Sequence, residues 1–78
     1  MNRLKLKEVN EDYVIYFYQP DGKGAYGEIL VNIGDHEAEI LTKPDSDRSG
    51  RYAFKATRAI IKCIDEQNFP PSFIQAWY

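Results

Sequence analysis

Asp12–Tyr18 reads DYVIYFY, and how its two faces are covered decides the fold. A strand resting on one side of a core is polar at every second residue, because alternate side chains meet water. Here neither set is polar. Tyr13, Ile15 and Phe17 point one way, and Val14, Tyr16 and Tyr18 point the other. Both faces need cover.

Upstream, Leu4 and Leu6 alternate with Lys5 and Lys7, a half-buried strand pattern expected at a sheet edge, where lysines discourage pairing with other chains. Downstream, Gln19-Pro20-Asp21-Gly22 is a turn: proline fixes φ, aspartate forms Asx turns, and glycine takes positive φ. Ala25–Ile33 is a third strand, rich in β-branched residues after Gly27. Gly34-Asp35 then reads as a two-residue hairpin connection into His36–Thr42. That turn sets Ile33 opposite His36, Val31 opposite Ala38 and Ile29 opposite Ile40. In the first hairpin, the expected register sets Val14 beside Ile29 and Tyr16 over Gly27. One sheet face then carries Val14, Tyr16, Ile29, Val31, Ile33, Ala38 and Ile40. The other carries Tyr13, Ile15, Phe17, Tyr26, Leu30 and Leu41, interrupted by Glu28, Asn32, Glu37 and Glu39.

From about Arg48 to Gln67 the period becomes helical, with Asp47 or Ser49 available as N-cap and Asn68 as the C-terminal residue. Wound at 100° per residue, Tyr52, Ala53, Ala56, Ile60, Cys63 and Ile64 form the apolar side that covers the first sheet face. Pro70-Pro71 prevents continuation. The tail PSFIQAWY carries Phe73, Ile74, Trp77 and Tyr78, and as a short helix or an added strand it is the expected cover for the aromatic face. The expected fold is α+β: an antiparallel meander of three or four strands, one C-terminal helix on one face and a short aromatic tail. Residues 1–78 make one domain, near the lower size limit for folding unaided.

A 44% hydrophobic chain with a single cysteine has ample core and no disulfide framework, and with no signal or spanning segment it reads as cytoplasmic. The net charge of −2 gives no general attraction to nucleic acid. The distribution is uneven: residues 1–44 hold five basic and eight acidic side chains, residues 45–78 five and four.

Motifs of chemistry are scarce. Gly22-Lys23-Gly24-Ala25-Tyr26-Gly27 matches G-x-G-x-x-G, but a dinucleotide site needs that loop to open a helix, and here it opens a strand. It reads as a hairpin tip. Cys63 and His36 could form a nucleophile pair only with hydrogen-bond contact and an orienting third group. A cysteine on an apolar helix face is core packing, and one Cys with one His cannot supply a structural zinc. The carboxylate pairs Glu37/Glu39 and Asp45/Asp47 lack a pocket that would separate their pKa values. No cofactor or metal is expected.

Two surfaces remain. Arg48, Arg51, Lys55, Arg58 and Lys62 fall within about 80° of one another around the helix, opposite the apolar side. They form either a solvated outer face or a docking face for an anionic partner. The second surface is the aromatic sheet face of Tyr13, Ile15, Phe17, Tyr26 and Leu30, a contact surface for another protein or a second copy of the chain. The reading is a small, non-catalytic cytoplasmic module acting through protein–protein or regulatory contact, alone or as a homodimer. Nucleic-acid binding through the basic stripe is the alternative, disfavoured by the acidic sheet half, and an enzyme comes last.

Overall fold

In the computed structural model, which describes residues 1–77, a five-stranded antiparallel sheet carries a helix across one face. The elements are β1 (Asn2–Val9), β2 (Tyr13–Pro20), β3 (Gly27–Asn32), β4 (Ala38–Thr42), α1 (Arg51–Glu66) and β5 (Ser72–Gln75). Their order across the sheet is β4-β3-β2-β1-β5. The fold is α+β as expected, with five strands rather than the expected three or four. No helix among the described residues is long and apolar enough to cross a membrane.

DYVIYFY lies in the central strand, which explains its two apolar faces. On the helix side, Val14, Tyr16 and Tyr18 are fully buried with Leu4, Ile29 and Val31 beneath Ala53, Ala56 and Ile60. The alanines bring α1 close to the sheet, as their spacing implies. Ala38 and Ile40 share this face but are exposed, because α1 lies over β1, β2 and β3 and stops short of β4.

The tail does not cover the opposite face. Residues 72–75 add to the sheet as β5, pairing antiparallel with β1, so that Leu4 faces Phe73 and Asn2 faces Gln75. β1 is therefore internal rather than an edge. Phe73 turns to the helix side and packs edge-on against Tyr16, ring centroids 5.7 Å apart. Trp77 meets Tyr52 on the same side, centroids 5.7 Å apart. Tyr78 lies outside the described residues.

The aromatic face is covered instead by its own charged neighbours. Lys5 Nζ sits 5.4 Å from the Tyr26 ring centroid, Lys7 Nζ 5.5 Å from that of Phe17, and Lys7 pairs with Glu28. The Tyr13 hydroxyl donates to Glu8 Oε2 at 2.6 Å. Lysine stems shield apolar rings while their ammonium groups stay in water. Ile15 beneath them is only 7% exposed.

The first hairpin is two residues out of the expected register: Tyr18 faces Gly27, Tyr16 faces Ile29 and Val14 faces Val31. A slip of two preserves the faces, so the core is as expected, but Tyr18 rather than Tyr16 covers the glycine. The second hairpin keeps its register. Its loop is longer than the expected two residues, since Asn32 N–H donates to Glu37 O and His36 N–H to Asn32 O, leaving Ile33–His36 as a four-residue loop with His36 at φ 62°.

Helix α1 begins at Arg51, three residues later than expected, because Gly50 takes φ 79° and breaks the preceding 3-10 turn (Asp45–Asp47) from the helix. The N-cap position is Gly50 rather than Asp47 or Ser49, but the Asp47 carboxylate reaches the first turn and accepts Tyr52 N–H at 3.0 Å and Ala53 N–H at 2.9 Å. At the other end Gln67, not Asn68, takes the left-handed conformation, and both residues donate backbone N–H groups to Cys63 O. Truncating Phe73 to alanine is expected to destabilise the domain by about 2–3 kcal/mol in urea unfolding, below the full cost for a buried ring because Phe73 is half-buried.

Candidate docking groove

Between α1 and β5 runs an open groove of about 710 Å³. It exists because the helix lies over the middle strands while β5 extends the sheet past its flank. Gln75 spans the gap: its Nε2 donates to Lys55 O at 2.8 Å and its Oε1 accepts from Asn2 Nδ2 at 3.1 Å. Asn2 Nδ2 also donates to Tyr52 O at 3.0 Å, so β1, β5 and α1 are tied at one end of the groove.

Lys55, Arg58 and Lys62 line the helix wall, opposed by Glu66 alone among acidic side chains there. Phe73 and Trp77 supply apolar surface along the other wall, Ile74 borders the groove at the sheet edge with its side chain turned to the opposite face, and Lys55 Nζ rests 5.3 Å from the Trp77 ring centroid. Three of the five stripe residues thus share one concave site. Arg51, the first residue of α1, and Arg48, which precedes the helix, are exposed but do not line the groove. The apolar wall was not legible from the stripe, because it belongs to a strand contributed by the tail.

The five sheet-face candidates do come together. Phe17 and Tyr26 are edge-on at 6.2 Å, and Tyr13, Ile15 and Leu30 lie on the same face by register. All five are buried or half-buried, Phe17 and Tyr26 each beneath a lysine. Among the described residues the exposed large apolar side chains are Val9, Ile40, Leu41, Phe54 and Ile74. None is a sheet-face candidate, and Ile74 lines the groove.

The remaining chemical groups are committed to structure. Asp47 is 1% exposed and also accepts the Tyr18 hydroxyl at 2.8 Å, so this buried carboxylate holds three donors. His36 Nε2 lies 3.3 Å from Asp65 Oδ1, so its partner is not Cys63. Burial pushes the Cys63 thiol up, against the activation a nucleophile needs. Among the described residues no group of three or more His, Cys, Asp or Glu is placed to hold a metal.

Burial also raises the Tyr16 and Tyr18 phenols, with Cys63 adding to the first and the Asp47 hydrogen bond to the second. Both are neutral in the fold and titrate near pH 10 in an unfolded chain. Their contribution to stability is complete below about pH 10 and is lost as pH rises through the raised native values. Tyr16 and Tyr18 are expected to ionise only with unfolding, seen as a cooperative late step in tyrosinate absorbance.

No family model, curated protein or solved structure matches the chain.

Proposed function

We propose that the chain is a non-catalytic protein-binding module that docks an acidic polypeptide along the groove between α1 and β5. The observation that carries this reading is the concentration of Lys55, Arg58 and Lys62 on a concave, partly apolar site of a protein whose net charge is −2. A local positive field on an acidic molecule selects a negatively charged partner and speeds its arrival, while Phe73 and Trp77 offer the apolar contact that gives an interface its strength. The absence of a catalytic role is supported by the way Asp47, Tyr18, Tyr16 and Cys63 are used. The first two bond each other, Tyr16 donates to Pro70 O at 2.8 Å, and Cys63 is buried. A free buried thiol fits a reducing, cytoplasmic setting.

The test is a titration with hexaglutamate and, separately, with an oligothymidylate of equal charge. The reading expects the peptide to bind more tightly than the oligonucleotide, with affinity that weakens as salt rises. Reversing K55E, R58E and K62E together is expected to weaken peptide binding about tenfold or more, while R48E with R51E leaves it within about twofold. An oligonucleotide that binds more tightly than the peptide overturns the reading in favour of nucleic acid.

A further inference from the structure

We infer that the partner docks by strand addition: an extended segment alternating acidic and apolar residues pairs with the free edge of β5. The inference rests on the reading above and adds the mode of recognition. Within β5 the direction of each backbone group follows from the ladder. Leu6 N–H donates to Pro71 O at 2.9 Å, and the same register pairs Leu4 with Phe73 and Asn2 with Gln75. Antiparallel ladders alternate bonded and non-bonded pairs, so Pro71, Phe73 and Gln75 direct their backbone groups to β1. Ser72 and Ile74 direct theirs outward, away from the sheet.

The two edges of the sheet differ in how they are defended. β4 carries an irregularity where Glu28 and Ile29 face Thr42 and Ile40, leaving Leu41 extra, and Glu37, Glu39 and Lys43 surround it. Bulges and charges blunt an edge against pairing. β5 pairs without a register shift, and Ser72–Trp77 contains no charged residue. Its Ile74 is 57% exposed. That edge is open.

The occupant follows from the two faces of an added strand. Side chains on the helix side would sit beside Phe73 and below Lys55, Arg58 and Lys62, which suits carboxylates on flexible stems. Those on the other side would lie next to Ile74, which suits a β-branched apolar residue. A second copy's β5, paired about a two-fold axis normal to the sheet, would set two basic helix flanks towards each other. Like charges make it the wrong occupant. Main-chain bonds would give affinity and the alternate side chains specificity.

The probe is a synthetic heptapeptide alternating glutamate and valine, added to the intact, isotope-labelled protein. Amide exchange at Ser72 and Ile74 is expected to slow about tenfold or more at saturation, with Phe73 and Gln75 changing little. N-methylation of alternate peptide nitrogens, which removes the pairing donors, is expected to weaken binding about tenfold. Binding that shifts Lys55, Arg58 and Lys62 but neither slows Ser72 and Ile74 nor responds to N-methylation overturns strand addition and leaves the acidic-partner reading standing. No binding at about 1 mM peptide overturns both.

Discussion

Replacing Asp47 with alanine is expected to destabilise the domain by on the order of 4 kcal/mol, which is comparable to the whole stability of many domains this size. The carboxylate accepts Tyr18 O–H, Tyr52 N–H and Ala53 N–H in a site 1% exposed to solvent. Removing it strands two backbone donors at the start of α1 and a phenol beneath the helix, each costing about 1–3 kcal/mol when left unpaired. Charge adds to the effect, since a carboxylate at a helix N-terminus meets the positive end of the dipole. Asp47→Asn should recover part of the loss, because an amide oxygen still accepts. Tyr18→Phe alone should cost less than Asp47→Ala, and the double variant less than the sum, because the two singles remove the same bond. Chemical denaturation of the four proteins measures this directly. An Asp47→Ala protein as stable as the parent would show that the loop does not anchor the helix.

The second large effect belongs to Gly27→Ala. Tyr18 lies across Gly27, and a Cβ there would collide with the ring and lie 2.7 Å from Thr42 O. The ring is buried and tethered through its hydroxyl to Asp47, so it cannot swing away, and the carbonyl belongs to the neighbouring strand. One methyl group therefore disturbs β2, β3, β4 and the helix anchor together. Overpacking of this kind costs about 1–3 kcal/mol and more where backbone is struck, so a loss of about 3 kcal/mol or more is expected in thermal or urea unfolding. Gly34→Ala is the control, since its Cβ would meet nothing within 4 Å.

Much of this architecture was legible in the sequence, and the parts that were not share physical causes. The two-sided strand, the hairpins and the helix side of Ala53, Ala56 and Ile60 are periodic signals, and periodicity survives small errors of register. The first hairpin shows why. Its loop has an even number of residues in either alignment, so the faces came out correctly while Tyr16 stood where Tyr18 belongs. The strand β5 was ambiguous because four residues, 72–75, are too few to distinguish a period of 2 from one of 3.6. Its place beside β1 is a tertiary choice, made by Phe73 against Tyr16 and Gln75 against Asn2. The cover of the aromatic face is hidden in the sequence for a different reason. Lys5 and Lys7 count as charges in a pattern, yet their stems do the work of apolar side chains.

The candidate site was half legible for the same reasons. The basic stripe is a helical pattern, and Lys55, Arg58 and Lys62 were read from it. A groove needs a second wall, and that wall is β5. Lys5 and Lys7 shield Tyr26 and Phe17 on the aromatic face, and Ile74 at the β5 edge stays exposed. The question raised by DYVIYFY is thereby answered: cover on one side by the helix, on the other by charged stems.

The most direct measurement is a map of backbone and side-chain resonances during titration with the alternating glutamate–valine peptide. Shifts are expected at Lys55, Arg58, Lys62, Phe73 and the Trp77 indole, with Tyr13, Phe17, Tyr26 and Leu30 unmoved. Shifts centred on those four sheet-face residues, or none anywhere, would contradict it.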